Sequence, residues 1–115
     1  MGVDCSGLVN LVFRANDIDV PRDAHEQWMA SGQISAGSLS PGDLIFLSRE
    51  GDASFVNHVM LSLGGEQFIE ASQTGDIVRI RTFTEKFGLD LGRLGQQDFF
   101  INKKKLYFGR IEAES

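Results

Sequence analysis

From Gly42 onward the chain is cut into strand-length pieces by polar, glycine-bearing breaks, and this segmentation constrains its fold more than any other feature. "GDLIFLS" (Gly42–Ser48) is a continuous apolar run, the pattern of a strand buried on both faces. "REGDAS" (Arg49–Ser54) reads as a polar turn and "NHVMLSL" (Asn57–Leu63) as a second strand. Gly64-Gly65 punctuates it, and "EQFIEAS" (Glu66–Ser72) returns as a third. "TGD" (Thr74–Asp76) turns into "IVRIRTF" (Ile77–Phe83), where Val78, Ile80 and Thr82 alternate with charged Arg79 and Arg81. Residues 84–98 read as irregular, and "KLYFGRI" (Lys105–Ile111) as a last strand.

The N-terminal third has a different period. Leu8, Val9, Leu11, Val12 and Ala15 fit one face of a helix that starts at Cys5 and is broken by Asn16-Asp17. Pro21 stiffens the connection to a second short helix, Ala24 to Ala30, preceded by Asp23 and Glu26 at capping-box spacing. Ser31-Gly32 ends it, and residues 34–41 read as loop. Helices first and an antiparallel sheet after make the class α+β. With 115 residues, 42% of them hydrophobic and nine of them Phe, the chain builds one domain with a real core.

A net charge of −5, with no basic stripe beyond Lys103-Lys104-Lys105, argues against nucleic acid as a partner. No apolar run approaches 18 residues, so no membrane span is expected, and no signal peptide is visible.

One cysteine excludes an internal disulfide and leaves two readings, an inert buried thiol or a reactive one. Cys5 stands in the first turn of a helix, where unpaired backbone N–H groups and the positive end of the dipole favour thiolate over thiol. Gly7 leaves room for close approach over the thiol. Its polar neighbours Asp4 and Ser6 are not what a structural thiol needs.

A nucleophilic thiol needs a base. His25, in "DAHEQW", reads as a solvated side chain; His58 opens an apolar strand, and a rigid strand fixes an imidazole as catalysis requires. Glu70 is the candidate to orient it. A pairing of His58 with Glu70 sets Ser62 opposite Glu66 and leaves a three-residue loop, Leu63-Gly64-Gly65; a two-residue Gly-Gly loop would put the two side chains on opposite faces. One Cys and two well-separated His form no zinc pattern, so neither metal nor other cofactor is expected.

In order along the chain, "DCSGLV", "VPRDAHEQW", "LSPGDLIF", "NHVMLSL" and "FIEAS" resemble the successive motifs of the NlpC/P60 cysteine peptidases. The resemblance implies a papain-like α+β core, with Cys5 as nucleophile, His58 as base and Glu70 in the third polar position. There the family often has His, so the carboxylate is a departure; a carboxylate holds the tautomer and stabilises imidazolium in other triads. It further implies Asp4 and Ser6 as substrate-binding residues, able to take the free amine of a peptide such as the L-Ala end of a cell-wall stem. The expected activity is an endopeptidase of the cell envelope, periplasmic or extracellular. It would cut peptidoglycan-derived peptide between D-γ-glutamyl and a diamino acid. The alternatives are a related thiol amidase or acyltransferase, and a non-catalytic peptide-binding module of the same fold.

The family usually carries an aromatic-glycine segment shortly before Asp-Cys-Ser-Gly, with a tyrosine that helps build the oxyanion site. This chain starts at Met1, three residues before Asp4, and its only tyrosine is Tyr107. Residues 1–115 are therefore expected to be an N-terminally truncated catalytic domain. Apolar surface is then expected near Leu8, Val12 or Phe13, with self-association through that side.

Overall fold

The computed structural model describes residues 4–71 and 77–112. The helix α1 (Cys5–Ala15) is followed by α2 (Ala24–Ala30) and the short strand β1 (Gly32–Gln33). Then come β2 (Leu44–Arg49), β3 (Asp52–Gly64), β4 (Gln67–Ala71) and β5 (Val78–Thr82). Two short helices, α3 (Phe83–Phe87) and α4 (Leu91–Gln96), precede β6 (Phe100–Ile101) and β7 (Lys104–Arg110). The main strands run in the order β1-β7-β2-β3-β4-β5, with β6 hydrogen-bonded to β7. Every pairing is antiparallel. The class is α+β, with the N-terminal helices packed on the sheet.

The strand β2 is central and apolar on both sides, as its unbroken run requires. Leu44 and Phe46 join Val9, Phe13, Val59 and Leu61 beneath α1 and α2, while Ile45 and Leu47 join Met60, Phe68, Phe83 and Leu94 beneath α3 and α4. Burial of Phe46, Phe68 and Phe83 is complete. Each such ring gives up roughly 150–250 Å² of surface and dominates the local packing energy. Of the residues expected to lie bare on α1, Phe13 belongs to the core, Leu8 and Val12 are half-buried, and Leu11 between them is 50% exposed.

Residues 84–98 are not irregular. Thr82 and Glu85 form a true capping box: the Thr82 hydroxyl accepts from the Glu85 N–H, and the Glu85 carboxylate accepts from the Thr82 N–H. The box starts α3, whose left-handed C-cap is Gly88. The box expected at Asp23 is not made: Asp23 is the N-cap of α2, but its side chain makes no capping hydrogen bond. The polar segment 49–54 is mostly strand, because β3 begins at Asp52. The expected turn at Thr74–Asp76 lies outside the described residues.

The β3–β4 hairpin differs from the expected register. Ser62 pairs with Phe68, not Glu66, and Gly64 pairs with Gln67. The loop has shrunk to Gly65-Glu66, and a bulge in β3 between Ser62 and Gly64 supplies the extra residue. Gly64 and Gly65 take positive φ angles of 91° and 58°, which the tight turn needs. The bulge restores even parity, so His58 and Glu70 still share a face although they are diagonal rather than opposite. The edge strand β5 leaves Val78 and Ile80 about half exposed, while Arg81 on its other side is largely covered.

Candidate active site

The start of α1 is built by Asp4. Its backbone is extended, and its Oδ1 accepts from the Gly7 N–H at 2.7 Å, closing the N-terminus as an N-cap. The same oxygen pairs with Arg22 Nη2 at 3.2 Å, and Arg22 Nη1 donates to the Ser6 hydroxyl at 2.9 Å. The bond to Gly7, helped by Arg22, holds the Asp4 carboxyl below its ordinary value. Gly7 serves this pair and not the space over the thiol: a Cβ there would lie 2.8 Å from Asp4 Oδ1 and 3.1 Å from Arg22 Nη2. Gln27 of α2 braces the same turn by donating to the carbonyls of Ser6 and Pro21, at 3.1 and 2.8 Å.

With the helix start held this way, Cys5 is its first residue and faces β3. Its Sγ lies 3.1 Å from His58 Nδ1. Beside His58 the β2–β3 ladder slips: Leu47 pairs with His58 but Ser48 with Val56, so Asn57 is extra. Such a bulge re-aims the neighbouring side chain. The far nitrogen of the ring, Nε2, lies 2.6 Å from Glu70 Oε2. Cys5, His58 and Glu70 therefore form a continuous thiol–imidazole–carboxylate chain.

Glu70 is not alone with the imidazole. Its side chain is 9% exposed, and it is gripped by Lys86 Nζ from α3 at 2.5 Å and by Arg81 Nη1 from β5 at 3.1 Å. Burial opposes its charge, but the bonds to His58 and Lys86 win and its pKa falls to about 2. Burial likewise opposes a charge on His58, yet the Cys5 and Glu70 bonds raise its pKa to about 9. For Cys5, burial pushes the thiol up, but the His58 hydrogen bond and charge, with the Val59 and Ser6 backbone, bring it net below its ordinary value. The arrangement favours thiolate–imidazolium over thiol–imidazole.

His25 is not a solvated side chain. Its Nδ1 accepts from the Val56 N–H at 3.1 Å and its ring stacks on Phe55 at 4.5 Å, so it holds α2 to β3. Tyr107 donates to the Ala53 carbonyl at 2.6 Å and packs on Trp28, a structural role. Arg22, Arg81 and Lys86 were not foreseen. Arg22 sits inside a quoted motif without an assigned partner. The Thr82-x-x-Glu85 spacing was the available sign of the helix that carries Lys86.

The chain matches the NlpC/P60 family over residues 1–90. It belongs to that family. It is 36% identical over 84 residues to the gamma-D-glutamyl-L-lysine dipeptidyl-peptidase of Bacillus subtilis (strain 168), covering 73% of this chain and 28% of the relative. It is 35% identical over 78 residues to the murein DD-endopeptidase MepS/murein LD-carboxypeptidase of Escherichia coli (strain K12), covering 67% and 40%. The chain thus spans less than half the length of these curated relatives. An NlpC/P60 structure from Bacillus cereus ATCC 10987 superimposes with a TM-score of 0.72 at 23% identity, over 96% of this chain and 32% of that one. RipD of Mycobacterium tuberculosis, described as a non-catalytic NlpC/p60 domain protein adapted to peptidoglycan binding, superimposes with 0.68 at 20% identity, over 97% and 69%. These two structural likenesses establish the fold.

Proposed function

We propose that this NlpC/P60 domain is a cysteine endopeptidase acting on peptidoglycan stem peptides at the bond between D-γ-glutamyl and a diamino acid, in the cell envelope. The observation that carries the reading is the unbroken chain from Cys5 Sγ through His58 to Glu70, at 3.1 and 2.6 Å, with the thiol at a helix N-terminus. The fold alone would not carry it, since RipD has the fold as a non-catalytic domain.

In this reading the Cys5 thiolate attacks the peptide carbonyl carbon, forming the S–C bond and an oxyanion. The Cys5 backbone N–H, on the first turn of α1, donates to that oxyanion; one such donor is worth about 10²–10³ in rate. His58 Nδ1–H protonates the leaving nitrogen as the C–N bond breaks, leaving a thioester. Water then gives a proton to Nδ1 and its oxygen attacks the thioester carbon. The C–S bond breaks and the thiolate–imidazolium pair returns. Asp4 and Ser6 lie on the helix side of the thiol, where a substrate amine would meet the Asp4 carboxylate already paired with Arg22.

The test is mass spectrometry of muropeptides incubated with the protein. Two fragments separated at the γ-glutamyl bond, with water added, support the reading. Intact muropeptides, or a fragment transferred to an added amine in place of water, would replace it with a binding module or an acyltransferase.

A further inference from the structure

Behind the His58 ring is a pocket of about 280 Å³, walled by Leu47, Asn57, His58, Glu70, Lys86 and Lys104 among others. Its two lysines differ. Lys86 is occupied by Glu70 at 2.5 Å. Lys104 is half-buried at the start of β7, and among the described residues no carboxylate forms an ion pair with it. In a chain carrying 16 acidic residues against 11 basic ones, this is an uncommon place for an unanswered cation. Partial burial weakens the hydration of an ammonium group, and an anion in the recess restores what is lost. A smaller hollow of about 180 Å³, bounded by the same two lysines with Phe87, Ile101 and Asn102, extends the cationic recess.

The recess has a definite place relative to the chemistry. His58 is one of its walls and Cys5 is not. The acyl half of a substrate is held on Cys5 and the leaving nitrogen meets Nδ1, so a group that reaches this recess extends past the ring to its Nε2 side, where Glu70 and Lys86 stand. We propose that this pocket is a subsite for a carboxylate on the leaving half of the substrate, with Lys104 as its principal cation and Lys86 and the Asn57 amide beside it. The proposal rests on the acyl-transfer reading above for its orientation. It adds a charge requirement: the residue whose amine leaves must carry a free carboxylate. The substrate would then lie along a polar gradient, with the Asp4 carboxylate on the acyl side and the Lys104 ammonium on the leaving side.

The test separates binding from turnover. The Cys5→Ala variant is titrated calorimetrically with L-Ala-γ-D-Glu-L-Lys as the free acid and as its C-terminal amide. The free acid is expected to bind about tenfold more tightly, the effect of one hydrogen bond to a charged group. Lys104→Met in the same background should erase the difference, and Lys104→Arg should keep most of it. Equal affinity for acid and amide, a difference that survives Lys104→Met, or no binding of either ligand would overturn the proposal. Hydrolysis of both ligands by the unmodified protein, with equal affinities in Cys5→Ala, would sink the subsite and leave the peptidase reading standing. Discrimination without any hydrolysis would keep the subsite and remove the peptidase reading.

Discussion

The two nitrogens of the His58 ring face surroundings of different origin. Nδ1 meets one group, the Cys5 thiol, delivered by the first turn of α1 and a local Asp4 cap. Nε2 meets Glu70, whose carboxylate is held by cations from two further elements, Arg81 on β5 and Lys86 on α3. The thiol side is therefore largely a local construction, braced by Arg22 and Gln27, and the carboxylate side a tertiary one. The difference has an electrostatic consequence. Glu70 stabilises the imidazolium, but Lys86 shares the oxygen that Nε2 uses and subtracts from that support. The three groups around Glu70 thus set its orientation and moderate its pull on the ring.

Removing the thiol side should have the largest effect. Cys5→Ala is expected to lower kcat/KM for muropeptide hydrolysis by about 10³-fold or more, since the covalent route is lost. Cleavage by this variant at a rate near that of the unmodified protein would show that the thiol is not the nucleophile.

On the carboxylate side, Glu70→Gln should lower kcat/KM by roughly 10²-fold, because an amide can favour the wrong tautomer and cannot stabilise imidazolium. The pH profile tells this from simple disruption. The unmodified protein should lose activity as pH rises through about 9, where His58 gives up its proton. Glu70→Gln should move that alkaline limb to lower pH.

Lys86→Met should act more weakly, within roughly tenfold, and in the opposite sense, moving the alkaline limb to higher pH because the cation competing for Glu70 is gone. Limbs that move the same way in both variants would show that Lys86 only holds Glu70 in place.

Alkylation probes the pair without a substrate. The rate of iodoacetamide reaction should fall off at lower pH than that of an ordinary thiol, because the Cys5 thiol lies below its ordinary value. A rate that follows an ordinary thiol titration near pH 8.5 would remove the activated pair.

The smallest effect is a null one. His58, raised from 6.5 to about 9, would by itself contribute stability present below 6.5 and lost as pH rises through 9. Cys5, lowered from 9.0, contributes with the opposite sign: stability present above 9.0 and lost as pH falls through its folded value. Over the range where Cys5 is thiolate and His58 still imidazolium, the folded pair holds as many protons as an unfolded thiol with neutral imidazole. The pair should therefore leave the urea midpoint flatter with pH across that range than either group alone would; a midpoint that falls steadily as pH rises there would show that the thiolate does not balance the imidazolium.

Much of this was legible in the chain. The 3.6 period after Cys5 and the capping residue before it mark α1, and the unbroken run at residues 44–47 marks a strand covered on both sides, because periodicity and burial are local consequences of the same core. The even spacing of His58 and Glu70 also survived, but through a bulge that spacing does not reveal: two-residue loop plus extra residue and a plain three-residue loop leave the same parity. His25 was misjudged because its partner, the Val56 N–H, lies 31 positions away.

What the sequence by itself determined is the α+β class, the helix-borne thiol and the central strand covered on both faces. These depend on short-range period and capping, which each segment carries within itself. What only the tertiary structure decided is the charge around that site: Arg22 on Asp4, Arg81 and Lys86 on Glu70, and Lys104 at the recess with no acid paired to it among the described residues. An ion pair depends on the distance between side chains that the fold brings together from separate elements, and that distance is written in no local pattern.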